Sequence, residues 1–305
     1  MRLLRAELLR FWTRRMVLIV VPIMIVLAAA IAIPMGLRTY PVSAAEQAQA
    51  QVDYGKDLTE WAATCNTSGT KDCAMIKPAL EDYLRTSSTV ADAMQATSVL
   101  KFTLINLLCL LIGASFVAAE FRSGAMSTWL TFNPDRNMVY LTKLAAASLS
   151  TGVVTAFAAG TSLVSLAITV SLGGVAFKVP DVLELIGWNA VGGVEFTAVA
   201  VAIGMITKHT AAGLGVGIGE NLFEGVASVV LLLVPSAGWL GQYLPGTQLG
   251  ALFANGSTYA LPTMDAAEAM APIQISAAQG GLYWLIVAVG INALGMLNFA
   301  RREVR

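Results

Sequence analysis

Residues 16–37 read MVLIVVPIMIVLAAAIAIPMGL, a run with no charged side chain, preceded by Arg14-Arg15 and followed by Arg38. A helix needs about 20 such residues to cross roughly 30 Å of hydrocarbon. Similar runs recur at 100–119, at 144 to about 170, at 185–206, at 211–234 and at 281–299. None of them alternates with period two, so helices rather than barrel strands are expected. The reading is an all-α integral membrane protein with six transmembrane helices, crossing the membrane repeatedly.

Composition agrees. Of 305 residues, 56% are hydrophobic and 12% charged, with a mean hydropathy of +0.70. A soluble domain carries about 25% charge, so a soluble enzyme is excluded. Basic and acidic residues balance at 19 each, which leaves no basic field for nucleic acid. One His and three Cys are too few for a zinc or iron–sulfur centre, so no metal site and no catalytic residue is assigned. The glycine-rich stretch Gly213–Gly219 has no Lys after it and lies in an apolar span. Its small residues suit close helix packing. His209 is expected to be a solvated turn residue.

Lys and Arg in short flanks set orientation. Arg2, Arg5, Arg10, Arg14 and Arg15 precede the first span, and Arg122, Arg136 and Lys143 follow the second. Lys208 follows the fourth, and Arg301, Arg302 and Arg305 follow the sixth. The opposite side has only Lys178 in its short loops. Both termini are therefore expected in the cytoplasm. The first run is too long for a signal-peptide core, so a retained helix is expected. Residues 1–15 place Leu4, Leu8, Phe11 and Trp12 on one helical face and Arg2, Arg5, Arg10 and Arg14 on the other. That is the pattern of an amphipathic helix lying in the interface among lipid headgroups.

The segment 38–99 reads as a polar extracellular loop domain, with a helix expected over Ala79–Ala96. Cys65 and Cys73 flank a turn-rich stretch, and an oxidising exterior favours a disulfide between them. Cys109 reads as a packing residue within the second span.

Residues 120–143 form the most informative loop. It contains Glu120-Phe121-Arg122-Ser123-Gly124, then AMSTWL, then Asn133-Pro134-Asp135-Arg136. Gly124 permits a bend, 125–130 suits a short helix, and Pro134 stops it. Trp129 offers an aromatic surface. By composition this is either a contact for a partner or an ordinary connector.

The loop resembles that of type-2 ABC exporter permeases, especially actinobacterial ones. Glu120, Gly124, Leu130, Pro134, Arg136 and Lys143 match the family pattern, while Ala125 replaces a hydroxyl residue and Asp135 reduces the basic character. The amphipathic start, the Phe299-Ala300-Arg301-Arg302-Glu303-Val304 end and Leu244-Pro245-Gly246-Thr247 extend the likeness; residues 38–99 do not share it. The resemblance implies a coupling helix docked on cytosolic ABC ATPase subunits, with Glu120, Phe121, Arg122, Gly124, Trp129, Pro134 and Arg136 carrying the coupling. It implies re-entrant outer helices over 235–280, where Pro235, Gly238, Gly241, Pro245 and Gly246 fit broken helices, and a cytoplasmic tail at 300–305. It also implies two ATPase subunits that hold ATP and Mg, no cofactor on this chain, and pairing with a second permease copy or a related permease. The place implied is a bacterial plasma membrane. On this basis Glu120→Lys is expected to break coupling without unfolding the chain.

Glu195 lies in the fourth span, and Glu220, Asn221 and Glu224 in the fifth. A charge at that depth costs about 2.5–3.5 kcal/mol on insertion scales. Three readings stay open for these candidate path residues: a wet cavity for a polar or cationic substrate, a proton relay, or structural bonding to broken backbone or across a dimer seam. If Glu224 is structural and protonated, Glu224→Gln is expected to be tolerated. The function expected is a permease subunit exporting a lipid, drug, antibiotic or peptide. The alternatives are a proton-coupled secondary transporter and a membrane immunity or anchor protein.

Overall fold

The computed structural model describes residues 2–67, 77–84, 87–177, 182–260 and 272–301. In chain order the helices are α1 (Arg2–Trp12), α2 (Arg15–Leu37), α3 (Ala44–Thr67), α4 (Val90–Arg122), α5 (Ala125–Phe132), α6 (Arg136–Leu172), α7 (Val182–Thr207), α8 (Thr210–Leu233), α9 (Pro245–Phe253) and α10 (Ala277–Arg301). A 3₁₀ turn at Leu80–Tyr83 follows α3, and a longer one at Pro235–Tyr243 precedes α9. Two short strands, β1 (Ser257–Tyr259) and β2 (Ile273–Ile275), pair antiparallel with Thr258 opposite Gln274.

Six of these helices, α2, α4, α6, α7, α8 and α10, are long and apolar enough to cross a membrane. The chain is thus a multi-pass, predominantly helical membrane protein. The hairpin, two strands of three residues each, is a small addition to a predominantly helical chain. It lies within 235–280, where only helices were expected; Gly256, at φ +105°, makes the turn into β1.

Two spans extend beyond their apolar cores. Helix α4 starts at Val90 because Thr89 and Asp92 cap each other: Asp92 N–H donates to Thr89 Oγ1 at 3.1 Å, and Thr89 N–H donates to the Asp92 carboxylate at 3.0 Å. This capping box overrides the expected helix over 79–96, which instead divides into the 3₁₀ turn and the first turns of α4. Helix α6 starts at Arg136 because Asp135 accepts from Met138 N–H at 3.1 Å, so Arg136 and Lys143 belong to a span rather than to its approach. Helix α3 occupies much of what read as loop.

Helix α7 lies at the centre, with 72% of its apolar stretch buried, against 11% for α8. Close approach comes from small residues. A Cβ on Gly213 would stand 2.7 Å from Ala114 Cβ, and one on Gly217 would stand 2.6 Å from Leu110 Cδ1. These glycines, one turn apart, bring α8 against α4 as the small-residue stretch predicted. Asn292 fastens α10 inside the bundle, accepting from Tyr140 Oη at 2.8 Å and donating to Ala198 O at 3.0 Å.

The ends of the spans sort into two faces. Phe121 and Phe299 meet edge to face with centroids 6.3 Å apart. Arg136 donates to Phe299 O at 3.3 Å, and Arg122 approaches Thr210 at 3.4 Å. So α1, α5, the α7–α8 turn and the end of α10 share one face, here the terminal face. Helix α9 and the hairpin lie toward the other.

Candidate functional site

The site on the terminal face is built from four elements. Gly124, at φ +72°, takes the left-handed conformation that a side chain disfavours. This turns the chain out of α4 and into α5. Asn133 and Pro134 end α5, and Asp135 caps α6. Local signals therefore bound a helix of eight residues between two spans, and its Met126 is buried in the bundle.

Glu120, at the end of α4, is 3% exposed. Its Oε1 accepts from Arg14 Nη2 at 2.6 Å, and its Oε2 pairs with Lys143 Nζ. Lys143 is fully buried and also donates to Glu7 Oε1 at 3.0 Å. Arg10 stands 3.7 Å from both carboxylates. Aromatic faces close the cluster: Arg10 lies 4.7 Å from the Trp129 centroid and Arg14 lies 4.5 Å from that of Phe116. Burial pulls the Arg14 guanidinium below its ordinary value, and Glu120 pushes it back up. The cluster joins α1, α4, α5 and α6.

This arrangement changes the reading of two groups of residues. Arg10 and Arg14 were placed on the polar face of an interfacial helix; instead they turn inward to Glu120. Glu120 itself does not face a partner. Its replacement by Lys would bury a further cation among three, so the expectation that Glu120→Lys leaves the fold intact is corrected. The cluster also contains two residues that were not singled out as site candidates. Glu7 is the sole acidic residue before Glu46, which was the available signal. Lys143 was noted only as a family match.

The outward surface of the loop is formed by other residues. Arg122, Gly124, Thr128, Thr131, Phe132 and Pro134 are exposed, Phe132 at 82%. Trp129, Phe121 and Arg136 are half-buried, and they hold the loop to the bundle rather than presenting it.

The membrane carboxylates separate into different roles. Glu224 on α8 accepts at both oxygens: Gly246 N–H at 2.8 Å, Thr247 N–H at 3.1 Å and Thr247 Oγ1 at 3.2 Å. Pro245 opens α9 and has no N–H, so Glu224 takes the next two unpaired donors of that helix. At the other end, Asn189 of α7 donates to Phe253 O at 3.0 Å. Glu224 thus bonds to broken backbone, one of the three readings left open for it, and Glu224→Gln would not preserve these contacts. An amide nitrogen at either oxygen would face a donor.

Glu220 lies one turn from Glu224 and is half-buried, beside Asn106 of α4. Asn221 returns its amide to Gly217 O at 2.8 Å, so it satisfies its own helix. Glu195 on α7 is 5% exposed, and its Oε2 has no hydrogen-bond partner. The expected disulfide lies outside the described residues, because Cys73 does; so do Lys178, Arg302 and Arg305 of the charge pattern. His209 is exposed in the α7–α8 turn.

No protein-family model matches the chain, and no curated protein matches it.

Proposed function

We propose that the chain is the permease subunit of an ATP-driven exporter resembling the type-2 ABC class. The observation that carries this reading is the short helix α5, whose Trp129 lies against Arg10 and Lys143 of the buried cluster that joins α1, α4 and α6. A force on α5 is transmitted to three other helices through a buried ionic cluster rather than absorbed by a loose loop. Such a helix suits docking in a groove of a cytosolic ATPase, with Phe132 as the aromatic anchor. In this reading the terminal face is cytoplasmic and the membrane is a bacterial plasma membrane. Two ATPase subunits hold ATP and Mg, and two permease copies, or one and a related partner, enclose the path. The sparsely covered α8 faces the second copy, which would shield Glu220 from lipid. Helix α9 is the re-entrant helix on the outer side, and Cys65 and Cys73 close an outer loop by a disulfide. The substrate class stays at lipid, drug, antibiotic or peptide.

The test is copurification of the tagged chain from its native cell. A stoichiometric ABC ATPase is expected, lost in Phe132→Ala while the chain remains folded. Purification without an ATPase, under conditions that preserve other complexes, refutes the reading. Glu195 favours a second one, proton-coupled transport, because it is a buried carboxylate with an unpartnered oxygen. That reading requires transport without nucleotide and its loss in Glu195→Gln.

A further inference from the structure

A cavity of about 680 Å³ lies where α4, α7, α10 and the hairpin meet, away from the terminal face. Its volume falls within the roughly 300–1,000 Å³ of small-molecule sites. Asn255 and Gly256, at φ +59° and +105°, fold the chain from α9 into β1 and build one wall. Thr258 and Gln274 stand opposite each other in the hairpin, so they share one of its faces. Gln95 and Ser98 come from α4, and Gln279 from the first turn of α10.

The polar side chains of the lining are carboxamides and hydroxyls, and the described residues around the cavity contribute no charged and no aromatic side chain. Gln95, Gln274 and Gln279 are exposed, and no hydrogen bond to a described residue engages their side chains. A carboxamide donates through its nitrogen and accepts through its oxygen, and a hydroxyl does both at one atom. An ion here would meet no counter-charge, and a wholly apolar ligand would cover these groups without bonding to them; both are costly. Met94, Leu185 and Ile275 add an apolar patch to the same lining. The complement is a neutral molecule that donates and accepts along its rim and presents C–H groups on its faces. A sugar ring has that form.

We propose that the cavity binds an uncharged sugar, its hydroxyls held by Gln95, Gln274 and Gln279 and a ring face resting on Met94, Leu185 and Ile275. This does not depend on the exporter reading, since it concerns one chain and needs no ATPase.

The test is titration calorimetry on the purified full chain in an oxyethylene detergent, because the headgroup of a maltoside would itself compete. Maltose and trehalose are the neutral probes. Glucuronate is a charged sugar, and N-acetylglycinamide is a neutral amide without hydroxyls. Saturable binding of at least one disaccharide is expected, with weaker binding of the other two compounds. Gln95→Ala and Gln279→Ala should each weaken it by roughly two- to tenfold, the scale of one neutral hydrogen bond. Both side chains are exposed, so their loss leaves packing intact. Absence of saturable binding by either disaccharide overturns the proposal. So does glucuronate or N-acetylglycinamide bound as tightly as the disaccharide, or unchanged binding in both variants. Phosphatidylcholine nanodiscs with and without a diglucosyl diacylglycerol then separate the source of the sugar. Loss of disaccharide binding in the glycolipid discs identifies a lipid headgroup, and undiminished binding identifies a soluble sugar.

Discussion

Replacing Glu120 by Gln keeps the size of the side chain and removes its charge. The cluster then holds Arg10, Arg14 and Lys143 against Glu7 alone, and its net charge rises from +1 to +2. The Glu120 side chain is 4% exposed and Lys143 is fully buried, so water screens little of the change. Breaking a buried pair by removing one partner costs about 3–5 kcal/mol, a large share of the roughly 5–15 kcal/mol that holds a domain together. The assay is equilibrium unfolding of the purified chain in detergent, followed by tryptophan fluorescence, since Trp129 lies against the cluster. Glu120→Gln and Lys143→Met should each destabilise strongly. The double variant should lose less than the sum by about 0.5–3 kcal/mol. Glu120→Gln within about 0.5 kcal/mol of the parent, the range of an ordinary surface change, or strict additivity of the pair, refutes the claim that this carboxylate binds the four helices together.

Glu224→Gln should destabilise by about 1 kcal/mol, the lower end of the cost of facing a donor with a donor, since the site is only partly buried; an unchanged unfolding curve contradicts the capping role. Asn189→Ala should act on the other end of α9 and cost about 0.5–2 kcal/mol, as lost helix caps do; thermal unfolding measures it. The Tyr83 phenol, which donates to Asp57 at 2.6 Å, is pushed up to about 12 chiefly by that bond. Its folded value lies above its unfolded one, so the contribution of this bond is complete below pH 10 and is lost as the pH rises toward 12; spectrophotometric titration should show the late-titrating fraction fall by one tyrosine in Asp57→Asn. Alkylation of the denatured, unreduced chain should modify Cys109 alone if Cys65 and Cys73 are bridged; three modified thiols contradict the disulfide.

The spans were legible because hydrocarbon imposes a length and a composition on any helix that crosses it, and 16–37 satisfies both without ambiguity. The short helix after Gly124 was legible for a different reason: a bend residue, an apolar turn and a proline stand in order. Partnership within the site was not legible. The sequence placed Arg10 and Arg14 on a polar face, and a polar face ordinarily meets water or headgroups. Only the tertiary arrangement brings Glu120, more than a hundred residues away, beneath them. The same limit applied to Glu224, whose partners are backbone N–H groups exposed by the start of α9. Backbone donors leave no mark in composition, whereas Thr89 and Asp92 form a readable cap in the middle of a stretch whose composition suits a continuous helix.

Helix α9 has a mechanical consequence. Its first free donors are held by a side chain of α8 and its last carbonyl by a side chain of α7, so it spans the two like a crossbar pinned at each end. A hydrogen bond near 3 Å is lost when its partners separate by little more than half an ångström. Axial sliding of α8 past α7 by that distance would therefore unpin one end and leave its backbone groups without their partners. The α7–α9–α8 triangle should accordingly travel as a rigid frame during any motion of the bundle. The compliance must reside at its borders, as where α8 rests on α4 and the glycines Gly213 and Gly217 face Ala114 and Leu110.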